Sequence, residues 1–500
     1  MTAEKYSCVT SLPYTHPQAQ IMGTGMQGGA LNTVDVSKMS LERFASVLPP
    51  GRFEEVRAGI HAARPLLAGR IVWNVSSTAH GGGVAEMLTT LLAYARGAGV
   101  DARWEVIGGD SRFFALTKRI HNHLHGFNGD GGGLGESERA HYEATLAPSG
   151  EALAAKVKSG DVVILHDPQT AGLIPRLRAR GIPVVWRCHV GVDRPNELVR
   201  ETWRFLARYV AAADATVFSR AAFAWEGLDA ERVAIIAPSL DAFAPKNQLL
   251  EEAEVDAILA AAGLRERDGS DAPAAFTRMD GTPALVRRHA RLTEERPLRH
   301  GERFVLQVSR WDALKDPAGV VAGFARFVAP HTDAHLVYAG PDVAGVSDDP
   351  EGARVLQAVR EQWTALPQEL RERIHLAELP MVDSEENAAM VNSLQQAATV
   401  VVQKSLAEGF GLTVAEAMWK GRAVAASRIG GIQDQIEHGR SGLLLDRPRV
   451  LEEFGAAVRR FLDDAGSAET MGIAARERVR EHFLGPRSLL DYLALLGRLI

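Results

Sequence analysis

Residues 405–434 read S-L-A-E-G-F-G-L-T-V-A-E-A-M-W-K-G-R-A-V-A-A-S-R-I-G-G-I-Q-D, a strand exit, a glycine-rich loop and a helix start in immediate succession. The β-branched run Thr399–Val402 comes directly before and is typical of a buried parallel strand. Glu408 therefore lies just past the carboxyl end of a strand, where open α/β sheets bind ligands. Gly409 and Gly411 let the backbone come close to whatever Glu408 holds.

The second half of this stretch repeats the pattern. A helix is predicted to open at Leu412–Thr413, carry Glu416 in its first turn and stop at Gly421, and the next strand ends at the pair Gly430–Gly431. Two carboxylates, two glycine turns and two helix N-termini suit a ligand with hydroxyls at one end and phosphates in the middle. Thr413-x-x-Glu416 also fits a capping box, a role for Glu416 that needs no ligand.

The composition is that of an ordinary soluble enzyme. Two domains are expected, because 500 residues exceed what one hydrophobic core organises. The formal net charge of -6 argues against a nucleic-acid binder. No apolar run reaches the roughly 18 residues of a membrane span, and no signal-peptide pattern opens the chain. With only Cys8 and Cys188, neither a disulfide framework nor a cysteine metal site is expected, which favours a reducing, cytoplasmic setting.

Short β-rich runs alternate with amphipathic helical stretches in two series, which predicts two parallel sheets with helices on both faces, each Rossmann-like, facing one another across a cleft. Residues 1–34 are expected to be an irregular arm, 126–135 a glycine-rich loop rather than a phosphate cradle, and 265–300 an inter-domain insertion or loop. The predicted strands are 71–75, 103–107, 161–166, 183–188, 216–219, 233–236, 304–308, 335–339, 373–377, 399–403, 423–427 and 442–445.

The domain limits predicted from this pattern are 1–242, 243–476 and 477–500. The third segment belongs to a helix, Arg476–Ile500, that is broken at Leu484-Gly485-Pro486. Because sites in such sheets gather at the carboxyl ends of the strands, functional residues are expected inside the cleft.

In the first series, the turn T-A-H-G-G-G-V-A-E at residues 78–86 follows a strand and opens a helix. Its N–H groups and the helix dipole suit a phosphate or a sugar hydroxyl, although a tight turn that packs helix on strand explains the glycines equally. It lacks the G-x-G-x-x-G spacing of dinucleotide-binding folds, which disfavours a nicotinamide-dependent dehydrogenase.

His189 follows another strand, where reacting groups usually lie, and its near-neutral pKa allows it to donate or accept a hydrogen bond. A lone histidine is often structural, so both roles stay open. His166-Asp167-Pro168-Gln169 occupies the equivalent place one strand earlier and offers groups that bind hydroxyls, or simply an Asp-Pro turn.

In the second series, Arg310 and Lys315 follow the first strand. A guanidinium fork and a point charge at a strand exit are able to converge on a diphosphate, whereas alone they would be a solvated loop. No Asp-x-Asp occurs, so a carboxylate-chelated divalent metal has no evident ligands, and neither metal nor cofactor is expected. The charge of a leaving group would be met by Arg310, Lys315 and helix N-termini.

Glu408 and Glu416, with seven residues between them in E-G-F-G-L-T-V-A-E-A, resemble the E-x7-E signature of retaining GT-B glycosyltransferases of the GT4 class. The motifs S-S-T-A-H-G-G-G-V-A-E-M-L, H-D-P-Q, W-R-C-H and P-S-L-D with K-N after it resemble the trehalose glycosyltransferring synthases, over about residues 70–490. They resemble the retaining trehalose phosphorylases as well. Residues 191–195, G-V-D-R-P, depart from the serine-rich continuation expected after the histidine, and 265–300 is longer than the usual connection.

The resemblance implies a GT-B architecture whose last helix crosses back to the first domain. It also implies that Glu408 binds hydroxyls of a donor glucose, that Glu416 binds the nucleotide ribose, and that His189 lies against the transferring glucose. The residues expected at the donor are Gly82, Gly83, Arg310, Lys315, Glu408, Gly409, Phe410, Gly411, Leu412, Thr413 and Glu416, those at the acceptor His80, Asp167, Gln169 and His189, and those of catalysis His189, Glu408, Arg310 and Lys315.

The expected activity is reversible transfer of glucose from an NDP-glucose to free glucose with retention, giving trehalose. The alternatives are a retaining trehalose phosphorylase, another GT4-class glycosyltransferase, or a nucleotide-sugar sensor that binds without transfer. Expected partners are NDP-glucose with glucose or trehalose, without nucleic acid or membrane; the base of the donor, homodimerisation and the direction of the reaction stay open.

Overall fold

The computed structural model describes residues 30–79, 83–267, 269, 272–343 and 350–500. The first half contains β1 (Leu31–Val34), α1 (Pro50–Leu67), β2 (Ile71–Ser76), α2 (Gly83–Gly97), β3 (Asp101–Ile107), α3 (Ser111–Leu124), α4 (Glu136–Lys156), β4 (Val162–His166), α5 (Ile174–Arg178), β5 (Val184–Cys188), α6 (Glu197–Val210), β6 (Ala215–Phe218) and β7 (Val233–Ile235).

The second half contains α7 (Glu252–Ala261), β8 (Ala275–Thr277), β9 (Pro283–Leu285), β10 (Arg291–Thr293), β11 (Phe304–Val308), α8 (Pro317–Phe327), β12 (His335–Pro341), α9 (Pro350–Thr364), α10 (Gln368–Arg371), β13 (Ile374–Leu379), α11 (Ser384–Ala397), β14 (Val400–Gln403), α12 (Leu412–Trp419), β15 (Ala423–Ser427), α13 (Ile432–Gln435), β16 (Leu443–Leu445), α14 (Leu451–Asp463), α15 (Ala465–His482) and α16 (Gly485–Leu499).

Two seven-stranded sheets organise the molecule. The first has the order β1-β3-β2-β4-β5-β6-β7, and the second has the order β10-β13-β12-β11-β14-β15-β16. All neighbours pair in parallel except the two edge strands β1 and β10, which run antiparallel to β3 and β13. The central strands β4, β5, β11 and β14 are buried along their whole length, since helices cover both faces, and this is why they read as continuous apolar runs. Every predicted strand is present within two residues at either end.

Four short strands were not expected from the sequence. Leu31–Val34, assigned to the irregular arm, pairs with Ile107–Trp104 as β1, and the 265–300 segment contains the hairpin β8–β9 and the edge strand β10 rather than loop alone. The edge strands lack a buried apolar run, and the partner that makes each a strand lies about 70 to 90 residues away in sequence. The expectation of irregular structure for residues 1–29 lies outside the described residues.

The glycine-rich loop 126–135 joins α3 to α4 and is pinned by Arg119. The guanidinium of Arg119 holds Asp130 at 2.7 and 2.9 Å and donates to the carbonyl of Gly133 at 2.8 Å. The loop does not follow a strand, so it has no place among the strand exits of the cleft.

The C-terminal helices bridge the halves. α15 packs on α12 of the second domain, and α16 packs on α1 and α2 of the first. Between them the chain pairs with the segment after β7, where the N–H of Leu240 donates to the carbonyl of Phe483 at 2.9 Å and Gly485 donates back at 3.0 Å. A continuous apolar core therefore runs from the first domain through Leu484 and Tyr492 into the second. Among the described residues, no helix is both long enough and apolar enough to span a membrane.

Candidate functional site

Two loops of the second domain are held together as one platform. Lys404 follows β14 with a fully buried side chain that pairs with Asp316, and its N–H donates to Gln307 Oε1 at 3.0 Å. The N–H of Leu406 donates to the carbonyl of Leu314 at 2.7 Å. The exits of β11 and β14 are thus fixed to each other, so Lys315 and Glu408, one from each loop, are presented side by side.

Glu408 and Lys315 form an ion pair at the mouth of this platform. Lys315 Nζ lies 2.6 Å from Glu408 Oε2, Ser405 Oγ donates to the same oxygen at 3.2 Å, and the two side chains are 13% and 16% exposed. Arg310 is turned differently, since it is 52% exposed and donates to Asp312 Oδ2 at 2.9 Å. The arrangement offers one carboxylate for hydroxyls and one ammonium for an anion.

Two glycine turns pack against each other beneath Glu408. Gly411 has φ +82°, and a Cβ there would stand 2.8 Å from Ile432 Cγ1, so both conformation and space demand glycine. Gly430 has φ +48° and no room for a Cβ against the carbonyl of Glu408, while the N–H of Gly431 donates to the carbonyl of Gly409 at 2.9 Å. The pair Gly430–Gly431 thereby supports the backbone that carries Glu408.

The capping-box interpretation of Thr413 and Glu416 is wrong. Helix α12 begins at Leu412 with Gly411 as its N-cap, so Thr413 is already helical and its hydroxyl donates to Gln403 Oε1 at 3.1 Å. The helix starts at Leu412 as predicted, but the left-handed Gly411 rather than Thr413 is its N-cap, so Glu416 has no capping role. Its side chain is 4% exposed, and among the described residues Oε2 has no hydrogen-bond partner. The N–H groups of Leu412 and Thr413 open the helix and have no carbonyl partner within it.

Phe410 is placed away from the cleft. Its ring is buried and lies 5.8 Å from the ring of Phe483, while its carbonyl accepts from Gln435 Nε2 at 2.6 Å. The side chain therefore anchors the loop in the core, and only the backbone of Phe410 is available to a ligand.

On the facing domain, His189 belongs to a chain of neutral hydrogen bonds. Arg187 Nε donates to His189 Nδ1 at 3.4 Å, so the proton of His189 sits on Nε2 and is donated to His166 Nδ1 at 3.3 Å. His166 Nε2 in turn donates to Asn74 Oδ1 at 3.1 Å. Burial, reinforced by the charge of Arg187, lowers the pKa of His166 to about 3 and that of His189 well below its ordinary value. The expectation of a near-neutral pKa is wrong: His189 stays an uncharged imidazole.

Asp167 and Gln169 follow β4, and Asp167 contacts His189. Asp167 has φ +63°, unusual for a residue with a side chain, and its Oδ1 accepts the N–H of His189 at 2.7 Å. Burial raises the pKa of Asp167 to about 6. Gln169 Oε1 is buried, and among the described residues it has no hydrogen-bond partner. The turn was expected as one of two alternatives; the structure has both the turn and a polar edge beside His189.

The two sides meet directly. A Cβ on Gly409 would stand 3.1 Å from the carbonyl of His189, and one on Gly83 would stand 2.9 Å from Leu412 Cδ1. Gly83, the first residue of α2, thus lies against Leu412 at the start of α12. His80 and Gly82, predicted at the acceptor and donor, lie outside the described residues.

Three further residues form an inter-domain latch, a name used below for Asp193, Arg220 and Asp434. Arg220 pairs with Asp193, holds Asp434 Oδ2 at 3.0 Å and donates to the carbonyl of Gly430 at 2.7 Å. Asp193 Oδ2 accepts the N–H of Gly430 at 2.9 Å. Asp193 belongs to the 191–195 segment that departs from the expected pattern, and the departure supplies a contact across the cleft.

Sequence reasoning missed two histidines that face the same loops. His121 and His125 sit one turn apart at the end of α3, with ring centroids 4.9 Å apart. Burial and the nearby charge of Lys315 lower the pKa of His125 to about 4. Burial also lowers the pKa of His121 well below its ordinary value, and Arg310 and Lys315 are among the charges that add to this effect. The signal was the H-x-x-x-H spacing at the end of an amphipathic helix, which alone does not say what the helix faces.

The described residues contain no group of three or more His, Cys, Asp or Glu side chains arranged to hold a metal ion. The cations that the site does present are Lys315 beside Glu408 and Arg310 at the rim.

Comparison with known proteins identifies the family of the chain. Residues 74–225 match a family model described as the N-terminal domain of trehalose synthase, and residues 290–478 match the model of group 1 glycosyl transferases. A trehalose synthase from Rubrobacter xylanophilus is 33% identical over 454 residues, 89% of this chain and 95% of that protein. One from Pyrococcus horikoshii is 32% identical, over 92% of this chain and 97% of that protein. The chain belongs to the trehalose synthase family.

Solved structures place this trehalose synthase family member among the GT-B folds. The α,α-trehalose-phosphate synthase (UDP-forming) from Burkholderia vietnamiensis superposes with a TM-score of 0.60 at 15% identity, over 86% of this chain and 95% of that one. The sucrose-phosphate synthase from Thermosynechococcus elongatus gives 0.59 at 18% identity, over 86% and 99%. These likenesses confirm the predicted two-domain α/β architecture. The family and the match to group 1 glycosyl transferases identify the protein as a glycosyltransferase related to trehalose.

Proposed function

We propose that this protein transfers glucose from an NDP-glucose to the anomeric hydroxyl of free glucose, with retention, and forms trehalose and NDP reversibly. The observation that carries the proposal is the close approach of the two domains at the predicted site. Gly409, next to Glu408, lies so near the carbonyl of His189 that a Cβ there would stand 3.1 Å from it. A sugar bound by Glu408 would lie against the polar edge of the first domain. The low number of cysteines, two in the whole chain, supports a cytoplasmic setting for this activity.

The donor would be held by the second domain. Glu408 is free to accept hydrogen bonds from glucose hydroxyls once Lys315 turns from it to the diphosphate, 2.6 Å being the present separation of the pair. Arg310, half exposed at the rim, would reach the same phosphates, and the N–H groups that open α12 would add neutral donors. The buried, unpartnered Oε2 of Glu416 would accept a ribose hydroxyl.

The acceptor would be held by the first domain. Gln169 Oε1, without a partner among the described residues, and the carboxyl of Asp167 offer acceptors for hydroxyls of the second glucose. His189 is uncharged and has both ring nitrogens bonded, so it would act by shape and by the position of its ring rather than as a general base. We infer that the neutral histidine leaves the developing positive charge of the transferring sugar unopposed.

The chemistry follows from these positions. The bond between the donor's anomeric carbon and the phosphate oxygen breaks, that oxygen accepts the acceptor's proton, and the new bond forms on the same face of the sugar. The protein's share is orientation of the two sugars and stabilisation of the leaving diphosphate by Lys315, Arg310 and α12. No residue is assigned as a covalent nucleophile, and no metal is assigned to the diphosphate.

A trehalose phosphorylase is the second candidate. The trehalose phosphorylase of Pleurotus sajor-caju is 28% identical over 83% of this chain, which spans 55% of that protein. The same cations would then hold inorganic phosphate. Activity on trehalose plus phosphate without any nucleotide would favour this reaction.

The test is a product assay with ADP-, UDP- and GDP-glucose, each against free glucose and glucose 6-phosphate. We expect trehalose, identified by NMR as the α,α-linked sugar, with free glucose and at least one donor. A second arm supplies trehalose with phosphate alone. Formation of glucose 1-phosphate there, with no transfer from any nucleotide sugar, would replace the proposal by the phosphorylase; a product of inverted linkage would overturn retention.

A further inference from the structure

Lys246 lies between the domains at the nucleotide end of the cleft and has no part in the function so far. It belongs to the segment that connects β7 to α7. Its Nζ is 2.8 and 3.0 Å from the two carboxylate oxygens of Glu86 on α2 of the first domain, and 3.8 Å from Glu416 Oε1 on α12 of the second. One ammonium therefore spans carboxylates of both domains.

The carboxylate of Glu416 depends on this ammonium. Among the described residues, Lys246 is the only cationic side chain within 4 Å of the Glu416 carboxylate. The neighbouring Lys420 points elsewhere, since its Nζ donates to Gln395 Oε1 at 2.7 Å and to the backbone carbonyl of Glu416 at 3.3 Å. Burial also lowers the pKa of Lys420 to about 7, so its charge is itself weakened.

The location of Lys246 joins it to the predicted nucleotide site. Glu86 is in the first turn of α2, the helix that opens at Gly83, and Gly83 stands against Leu412 at the first position of α12. The remaining oxygen of Glu416, Oε2, is buried and has no partner among the described residues. A hydroxyl donor brought to that oxygen would complete the cluster.

We propose that Lys246 is a positioning residue for the nucleotide: it faces the Oε1 side of the Glu416 carboxylate, leaves Oε2 to accept a ribose hydroxyl, and ties the occupied site to α2 through Glu86. This inference rests on the proposed function, because it takes the ligand to be a nucleoside diphosphate. A charge-assisted hydrogen bond to a carboxylate is roughly twice as strong as a neutral one, so the charge on Glu416 sets the affinity.

The test compares Lys246→Met with the wild type for binding of ADP, UDP and GDP by calorimetry, and for transfer from the matching NDP-glucose. We expect the Kd of the preferred nucleotide and the KM of its donor to rise about tenfold, with kcat and the KM of glucose changed less than about threefold. Lys246→Arg retains the charge and should restore affinity to within about threefold.

A double-mutant cycle separates positioning from mere structure. If Lys246 acts through Glu416, adding Glu416→Gln to Lys246→Met should raise the Kd no further than Glu416→Gln alone raises it. Independent, additive losses in the two variants would contradict the inference.

A matched control is Lys156→Met. Lys156 Nζ pairs at 2.7 Å with Glu105, a glutamate buried in the first sheet away from the cleft. This variant should lose stability while nucleotide affinity stays within about twofold.

The outcomes separate the two proposals. If the wild type binds a nucleoside diphosphate and Lys246→Met binds it equally, this inference fails and the proposed function stands. If the wild type binds none, both fail. Should Lys246→Met not fold, as judged by its thermal transition, Lys246→Gln is measured in the same way and judged by the same criteria.

Discussion

Glu408 and Lys315 form an ion pair that a ligand bound to either residue would have to separate. Each is largely buried, and their 2.6 Å contact takes up the oxygen and the ammonium that a sugar phosphate would use. A ligand that offers hydroxyls to Glu408 and a phosphate to Lys315 would replace this ion pair with charge-assisted hydrogen bonds to both residues. His189 differs, since its nitrogens are bonded to protein atoms and it contributes a fixed, uncharged surface.

The first prediction concerns Glu408→Gln, which keeps the size of the side chain and removes its charge. We expect kcat/KM for transfer to fall by about 100- to 1000-fold, because hydroxyls lose a charged acceptor at the reacting sugar. The melting temperature should stay within a few degrees of wild type, since the glutamine still offers an amide oxygen to Lys315. Glu226→Gln, in an exposed pair with Arg200, is the control and should leave turnover unchanged. Wild-type turnover in Glu408→Gln would remove Glu408 from the site.

Asp167 gives the second prediction, because burial raises its pKa to about 6 from 3.8. A raised carboxyl pKa contributes stability that is present below pH 3.8 and is lost as pH rises through 6. Asp167→Asn keeps the acceptor for the N–H of His189 but has no charge. Relative to wild type it should therefore gain about 1–3 kcal/mol of unfolding free energy as pH rises from 4 to 7, measured by urea titration. Its KM for glucose should rise, since the charged acceptor is gone; a difference that does not change with pH would contradict the assignment.

At the scale of one element, α12 is a helix set by glycines at both ends. Gly411 at its N-cap and Gly421 just past its C-terminus both have left-handed backbones, φ +82° and +68°. Only the first is crowded, because a Cβ on Gly411 meets Ile432 at 2.8 Å whereas one on Gly421 has nothing nearer than 3.7 Å. The N-terminal glycine thus aims the helix and its free N–H groups at the cleft, and the C-terminal one only ends the helix.

The third prediction compares these two glycines. Gly421→Ala should cost about 1 kcal/mol of unfolding free energy, the strain of a left-handed alanine. Gly411→Ala should cost about 2–3 kcal/mol, because Ile432 must also move, and it should weaken nucleotide binding measured by calorimetry. Equal affinity in the two variants, once both are shown to be folded, would mean that the N-terminus of α12 does not contact the nucleotide.

For the whole molecule, function requires that two sheets keep their carboxyl ends together. The halves are joined at the back by α16, which packs on α1 and α2, and at the front by the inter-domain latch. The latch forms hydrogen bonds to Gly430, and Gly430 packs against the carbonyl of Glu408. Gly409, the next residue, packs against the carbonyl of His189. These contacts connect the inter-domain latch to the loop that carries Glu408, so opening the latch is expected to disturb that loop.

The fourth prediction follows from that coupling. Arg220→Gln removes the guanidinium that holds Asp193, Asp434 and Gly430 together. We expect hydrolysis of the donor to rise about tenfold relative to transfer, and the radius of gyration in solution scattering to increase as the cleft opens. Arg200→Gln, in an exposed pair on the same domain, is the matched control and should change neither. An unchanged ratio of hydrolysis to transfer would show that the latch is structural only.

What the sequence determined by itself are the strands with apolar runs and the loops that follow them. Runs such as Val162–His166 and Phe304–Val308 are apolar because both faces of the sheet are covered, and that signal is local to each strand. Parallel pairing then puts Glu408, Lys315, His189 and Asp167 at strand exits, which is why the carboxyl ends of the strands were predicted as the site.

What only the tertiary structure decided are contacts between segments far apart in the chain. The strand β1, the bridge from Lys246 to Glu86 and Glu416, and the latch of Asp193 with Arg220 and Asp434 each join residues whose own neighbours do not mark them. The charge states belong here too, since burial sets the low pKa of His189 and the raised pKa of Asp167. Local pattern reports which face of an element is apolar, whereas pairing, desolvation and domain closure depend on which other element covers it.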